Sequence, residues 1–188
     1  MTAQITSHTI TLKGIEDAVR EWLVAAVDAE VIFAHRDDPF PDMPYLYVEI
    51  GLVRNPGVRD WTGPLSPEGV QHTYGQRIRT VQVVGKGGPE ASDLVQTAHA
   101  SVWTNTVHNI LTGAGLAVQG CSQINEAPAL EETSHIRMTY FDVELMYQSD
   151  LEETVPVAKE VVITTDYVPA EGADPTITTE QTISLEEE

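Results

Sequence analysis

Six histidines, one cysteine and a small acidic cluster are the groups in this 188-residue chain best suited to chemistry. His8, His35, His72, His99, His108 and His135 form no H-x-H or H-E-x-x-H pair, the spacings that bring two imidazoles to one ion. His99 and His108 fall in one predicted helix, but their separation sets them about two and a half turns apart along its axis. Asp37, Asp38 and Asp42 could offer oxygen ligands, yet their spacing matches no EF-hand loop. Gly85-Lys86-Gly87-Gly88 precedes a helix without the G-x-x-x-x-G-K-[ST] order of a phosphate loop, and reads as a turn plus helix cap. No G-x-S-x-G is present, and Cys121 stands in no motif. The expectation is no catalytic residue, no metal site and no cofactor.

The residues suited to recognition are of another kind. Trp22 and Trp103 sit on predicted helical stripes, where core packing is the natural role. Trp61 lies in a polar, proline- and glycine-rich loop, and tryptophan is enriched where partners meet. Val161, Val162, Ile163 and Tyr167 belong to a β-prone stretch in a polar C-terminal segment. These five, Trp61 and the four arm residues, are the candidate subunit and partner contacts.

The elements that must position them follow from periodicity. Residues 14–30 place Ile15, Val19, Trp22, Leu23, Ala26 and Val27 on one helical stripe, with Glu16 and Asp17 expected in the first turn. Val31 to Ala34 predicts a short strand, 35–44 an extended proline loop, and Tyr45 to Leu52 a strand alternating around Leu46, Val48 and Ile50. Residues 54–69 predict a long loop, a feature that is often functional. Val70 to Gly85 predicts a strand, with a bulge or bend at Gly75. One helix is expected from Pro89 to about Leu111, ended by Gly113. Leu116 to Ser122 predicts a strand and Glu126 to Thr133 a loop. In Ile136 to Gln148 the residues Phe141, Val143, Leu145 and Tyr147 alternate with Tyr140, Asp142, Glu144 and Met146, so two faces of a strand are predicted. The fold class is α+β: a small, mostly antiparallel sheet packed with two helices, as residues 1–149, followed by an extended acidic C-terminal arm, residues 150–188.

Charge marks the same division. The net charge is −19. Residues 150–188 hold 11 acids and one base, Lys159, while the first 149 residues hold 18 acids and 9 bases. Such a chain has no basic footprint for sequence-specific DNA binding and none for an anionic membrane surface. A single cysteine allows no intrachain disulfide. No apolar run approaches the roughly 18 residues of a membrane helix, and the N-terminus does not read as a signal peptide.

The order of four segments carries a resemblance. Val31 to Tyr45 (VIFAHRDDPFPDMPY) follows a tryptophan-bearing helix with an apolar pair, spaced prolines and a tyrosine entering a strand. Val81 to Thr97 (VQVVGKGGPEASDLVQT) is a strand followed by Gly, Ala and Asp at a helix start. Gly115-Leu116 and the strand Arg137 to Tyr147 complete the order. Over residues 14–148 this resembles the tailed-phage neck and tail terminator proteins. The resemblance implies a structural virion protein at the tail–neck junction, assembled in the host cytoplasm. It implies a ring of identical copies, usually a hexamer, that caps the tail tube and ends its polymerisation. The implied partners are the chain itself, the tail tube protein, the neck or connector protein and the tail sheath, with DNA passing through a central channel without specific binding, no membrane and no catalysis. The residues themselves leave open another phage neck or tail completion protein, a small soluble hydrolase or nuclease working through Asp37, Asp38 and Asp42, or an acidic binding module.

Overall fold

A computed structural model describes residues 4–34, 39–57, 59–131, 134–155, 160–167 and 177–184. The elements in chain order are β1 (Gln4–Ser7), α1 (Leu12–Ala26), β2 (Val31–Phe33), β3 (Tyr45–Ile50), β4 (Trp61–Thr62), β5 (Val70–Lys86), α2 (Pro89–Ser101), α3 (Asn105–Gly113), β6 (Leu116–Cys121), β7 (Asn125–Glu131), β8 (Ser134–Thr154), β9 (Glu160–Tyr167) and β10 (Ile177–Ser184).

The sheet is built around β5 and β8, which pair antiparallel from Val70↔Thr154 to Gly85↔Thr139. The outer edge of β5 carries β3, at Val48↔Val83, and β4, at Trp61↔Tyr74. The outer edge of β8 carries β7, β6 and β1 one after another. β2 pairs parallel with β3. The helices cover one face, and the alternation read in β8 decides which: Phe141, Val143, Leu145 and Tyr147 are buried. Three helices on a mostly antiparallel sheet make the α+β class.

α1 brings the largest apolar side chain to this core. Ile15, Ala18, Val19, Trp22 and Leu23 are buried. Trp22 meets Phe141 edge to face at 6.5 Å and donates its indole N–H to Ser101 Oγ at 2.8 Å. A buried ring of this size removes roughly 150–250 Å2 from water, worth about 4–6 kcal/mol before the entropy of ordering. Thr11 caps the helix by accepting from Gly14 N at 3.1 Å. The helix therefore starts at Leu12, earlier than expected, and neither Glu16 nor Asp17 is in its first turn. Glu16 lies on the buried stripe instead.

Four other expectations are corrected. The single helix from Pro89 to Leu111 is two, because Thr104 adopts an extended conformation and its hydroxyl accepts from Val107 N, capping α3. A short hydroxyl side chain that satisfies a helix N-terminus stabilises a break there. The break turns Val107 and Leu111 into the core and leaves Trp103, expected in the core, 65% exposed. The loop expected at 126–133 is largely β7, paired with β8; Pro128 hid it from sequence reasoning, and an edge strand tolerates proline. The long loop at 54–69 follows the edge of β5 through an Arg54↔Ile78 bridge and through β4. Finally, β5 stays in register through Gly75↔Ser149, with no bulge. Gly75 leaves room instead: a Cβ there would crowd the ends of the Asp60 and Arg77 side chains, which would have to shift.

The turn and cap read at residues 85–88 are made by Gly87 and Gly88, while Gly85 and Lys86 still belong to β5. A Cβ on Gly85 would stand 2.6 Å from Ala91 O and 2.7 Å from Val95 Cγ2, so its absence lets α2 pack closely on β5. Gly88, at φ 76°, is the N-cap of α2, with a proline at the helix start. The boundary expected after Ser149 falls inside β8, which runs on to Thr154 between β5 and β1.

Candidate interaction surfaces

The first surface lies at the end of the sheet beyond α2. Two-residue β4 docks on β5 and sets Trp61 opposite Tyr74. Their rings stack at 5.3 Å with 16° between planes, and His72, two residues along β5 on the same face, stacks on Tyr74 at 5.7 Å. Trp61 remains 60% exposed. On the opposite face the Arg77 guanidinium grips Asp60 with two bonds of 2.7 Å. That hydrogen bonding holds the Asp60 carboxyl below its ordinary value and raises the Arg77 pKa, and desolvation opposes both shifts. The pair anchors the residue before Trp61 and so fixes the approach of β4. Around it opens a groove of about 620 Å3, lined by Arg59, Trp61, Tyr74, Gly75, Gln76 and Gln148.

Polar clamps stiffen the neighbouring strands. His72 Nδ1 meets Asp150 Oδ1 at 3.1 Å. Thr9 Oγ1 accepts from Asp150 N at 3.1 Å, His8 N donates to Asp150 O at 2.9 Å, and His8 Nε2 meets Glu152 at 3.1 Å. These contacts tie β1 to the end of β8.

The second surface lies beside β6. The break between α2 and α3 puts Trp103 at the rim of a groove of about 360 Å3 whose lining includes Val102, His108, Leu111 and Leu116. Trp61 and Trp103 thus lie toward opposite edges of the sheet, one beside β5 and one beside β6.

The arm candidates Val161, Val162, Ile163 and Tyr167 fall on β9. Its backbone pairs antiparallel with β10, at Val161↔Ile183, Val162↔Thr182, Ile163↔Gln181 and Tyr167↔Ile177. The two strands form a sheet separate from the main one.

The groups suited to chemistry are scattered. His99 and His108 stand on different helices, not one. His99 meets Ser122 O at 3.0 Å and the Phe141 ring at 5.2 Å. Among the described residues, no three His, Cys, Asp or Glu side chains converge as metal ligands. His35, Asp37 and Asp38 lie outside the described residues, as does the side chain of His135. Burial, and then the Asp142 charge, push the Cys121 thiol up, away from the reactive thiolate. Of the arginines near the sheet, Arg54 pairs with Glu144, Arg77 with Asp60, and Arg79 Nη1 donates to Gly51 O at 2.8 Å.

What the geometry presents is therefore two exposed tryptophans beside grooves, on a scaffold whose described His, Cys, Asp and Glu side chains do not converge. The sequence profile of the phage neck terminator proteins matches residues 13–171. The chain belongs to this family. No curated protein matches it. The match begins in α1 and ends beyond β9. The resemblance seen over residues 14–148 thus extends into the acidic arm. Family membership points to a structural component of the virion at the junction of neck and tail, and away from an enzyme.

The polar loop singles out Trp61 as a candidate contact but not the residues it stacks on. Tyr74 and His72 alternate on one strand and were legible as same-face neighbours. Their stacking with Trp61 depends on β4 pairing, which no local pattern announces. The exposure of Trp103 follows from the helix break, which periodicity does not announce.

Proposed function

We propose that this neck terminator assembles with copies of itself into a closed ring of six that caps the tail tube, stops its polymerisation and joins the tail to the neck or head connector. DNA passes through the centre of the ring. The partners are sibling subunits, the tail tube protein, the neck or connector protein and, in a contractile tail, the sheath. The match to the family over residues 13–171 is the observation that carries this reading.

Two features support it. Exposed Trp61, stacked on Tyr74 above a groove, has the character of a contact hot spot. The face of the sheet away from Phe141 and Val143 carries Glu49, Asp142, Glu144, Asp150 and Glu152, and the net charge is −19. Phosphate binding needs basic groups, so this overall acidity suits a conduit that lets DNA pass without holding it.

The test is light scattering and electron microscopy of the purified chain with and without tail tube protein. Rings with an open centre, and tubes whose growth halts when the chain is added, are expected. Monomers alone in the presence of tube protein would overturn the reading. Duplex DNA should not be retained at about 150 mM salt, and tight, salt-dependent binding would remove the conduit role.

A further inference from the structure

β9 and β10 pair with each other and, among the described strands, with nothing else. A lone two-stranded ribbon is at best marginally stable in water. β9 also reads Val161-Val162-Ile163-Thr164-Thr165, five β-branched residues in a row, the composition of a strand packed against neighbours. Such a ribbon calls for a surface to cover it.

The main sheet has one edge suited to receive it. β2 is buried, β4 has two residues, and β7 contains Pro128 and ends at Glu131. β1 has four residues, all exposed, and so offers a strand no buried apolar pocket. β6, Leu116-Ala-Val-Gln-Gly-Cys, has neither a charge nor a proline, the devices that protect exposed edges. Its outer side borders the groove in which Leu111 and Leu116 are buried and Trp103 stands exposed. A groove between an edge strand and a helix is a setting for strand addition, in which backbone pairing supplies affinity and side-chain pockets supply specificity. The register shift between Val118 and Gly120 ends the straight part of this edge and confines pairing to its first half.

We propose that β9 of one copy adds to the β6 edge of a neighbouring copy, between β6 and α3 beside Trp103. Chain length favours a neighbour over the same molecule. Leu116 lies level with Tyr147 of β8 and Val118 with Leu145. Thr154 stands about 23 Å along the strand from the first level and about 30 Å from the second, at ~3.3 Å per residue. Val162 and Ile163, eight and nine residues beyond Thr154, reach at most roughly 29–32 Å fully extended, so pairing with their own β6 would need the intervening chain drawn straight past β1, which holds the edge of β8 between. A donor strand and an acceptor groove on different parts of one subunit make a head-to-tail contact, the kind that closes into a ring. The proposal rests on the ring reading and names one of its subunit contacts.

Disulfide trapping in the full chain tests it. In a Cys121→Ala background, Ala117→Cys is combined with Val162→Cys or with Ile163→Cys, which covers both faces of β9. Oxidised samples are separated on non-reducing gels, and light scattering is recorded on the same samples before oxidation. One of the two pairs should give covalent multimers at roughly tenfold or more over a control pair, Ala117→Cys with Gln96→Cys on the exposed side of α2, because groups held together in a complex meet at millimolar effective concentration. Trp103→Glu, added to the reactive pair, should lower that yield. Multimers in solution with no cross-link above the control would overturn this contact and leave the ring standing. Cross-linking only within monomers would assign β9 to its own chain and overturn it also. Monomers alone, with tube protein present, would remove both readings.

Discussion

Trp61 and Trp103 are exposed almost equally, 60% and 65%, and they reach the surface by opposite routes. Trp61 begins in a segment too polar and too rich in proline to enter a core. Strand pairing then draws it down onto Tyr74, so its exposed indole rests on a rigid base. Trp103 begins on a helical stripe that periodicity assigns to the core. The cap at Thr104 interrupts the helix one residue later and turns it out. Trp22, the third tryptophan, lies on an unbroken stripe and is fully buried. A large aromatic side chain thus follows its element: uninterrupted, the stripe buries it, and a break or a docked loop decides the rest.

Three substitutions separate these cases. Trp22→Ala should cost the most, about 3–5 kcal/mol by urea unfolding, as for other buried aromatics. A loss under about 1 kcal/mol would mean that the Trp22–Phe141 contact does not hold the core. Thr104→Ala should come next, at about 1 kcal/mol for a lost helix cap, with weaker hydrogen-exchange protection at the start of α3. If stability is unchanged, the break is dictated by packing and the cap only accompanies it. Smallest are Trp61→Ala and Trp103→Ala. Loss of the exposed stack on Tyr74 should cost about 0.5 kcal/mol, the low end for an aromatic pair, and Trp103→Ala should stay within about 0.5 kcal/mol. Both should weaken self-association in sedimentation far more than they weaken the fold. Equal and large stability losses at all three tryptophans would erase the contrast.

The Asp60–Arg77 pair gives a subtler test of how firmly β4 is held. The folded carboxyl is lowered from its ordinary value. Its contribution is therefore present above the unfolded value and is lost as pH falls through the lower folded one. Asp60→Asn should flatten the pH dependence of stability in the acid range, and the two proteins should converge at the lowest pH. A difference between them that persists below the carboxylate range would show that the aspartate acts through packing rather than charge.

Much of the scaffold was legible because its signals are local. The stripe of α1 and the alternation in β8 sorted Trp22, Phe141, Val143, Leu145 and Tyr147 into the core without any knowledge of the fold. The turn at Gly87 and the cap at Gly88 were legible for similar reasons. The missed features are contests between local preferences and distant partners. β7 contains a proline that argues against a strand, and the facing length of β8 overrides it. The 54–69 segment reads as loop, yet the bare edge of β5 recruits Arg54 and Trp61 into pairing. Gly75 reads as a bulge or bend, yet it stays in register and leaves room for a salt bridge formed by residues on either side of it in sequence, Asp60 and Arg77.

By itself the sequence determined the α+β class, the core faces of α1 and β8, the acidic charge and the absence of any recognisable catalytic or metal motif. Each of these depends on residue type or on periods of 2 and 3.6, which a chain carries wherever it goes. Only the tertiary structure decided that Trp61 stacks on Tyr74, that Trp103 stands beside a strand edge, and that β8 continues beyond Ser149 between β1 and β5. Those outcomes depend on which backbone edges find partners and on where a helix cap competes successfully with helix propagation. Such choices are made between segments far apart in the chain, and only the folded molecule brings them together.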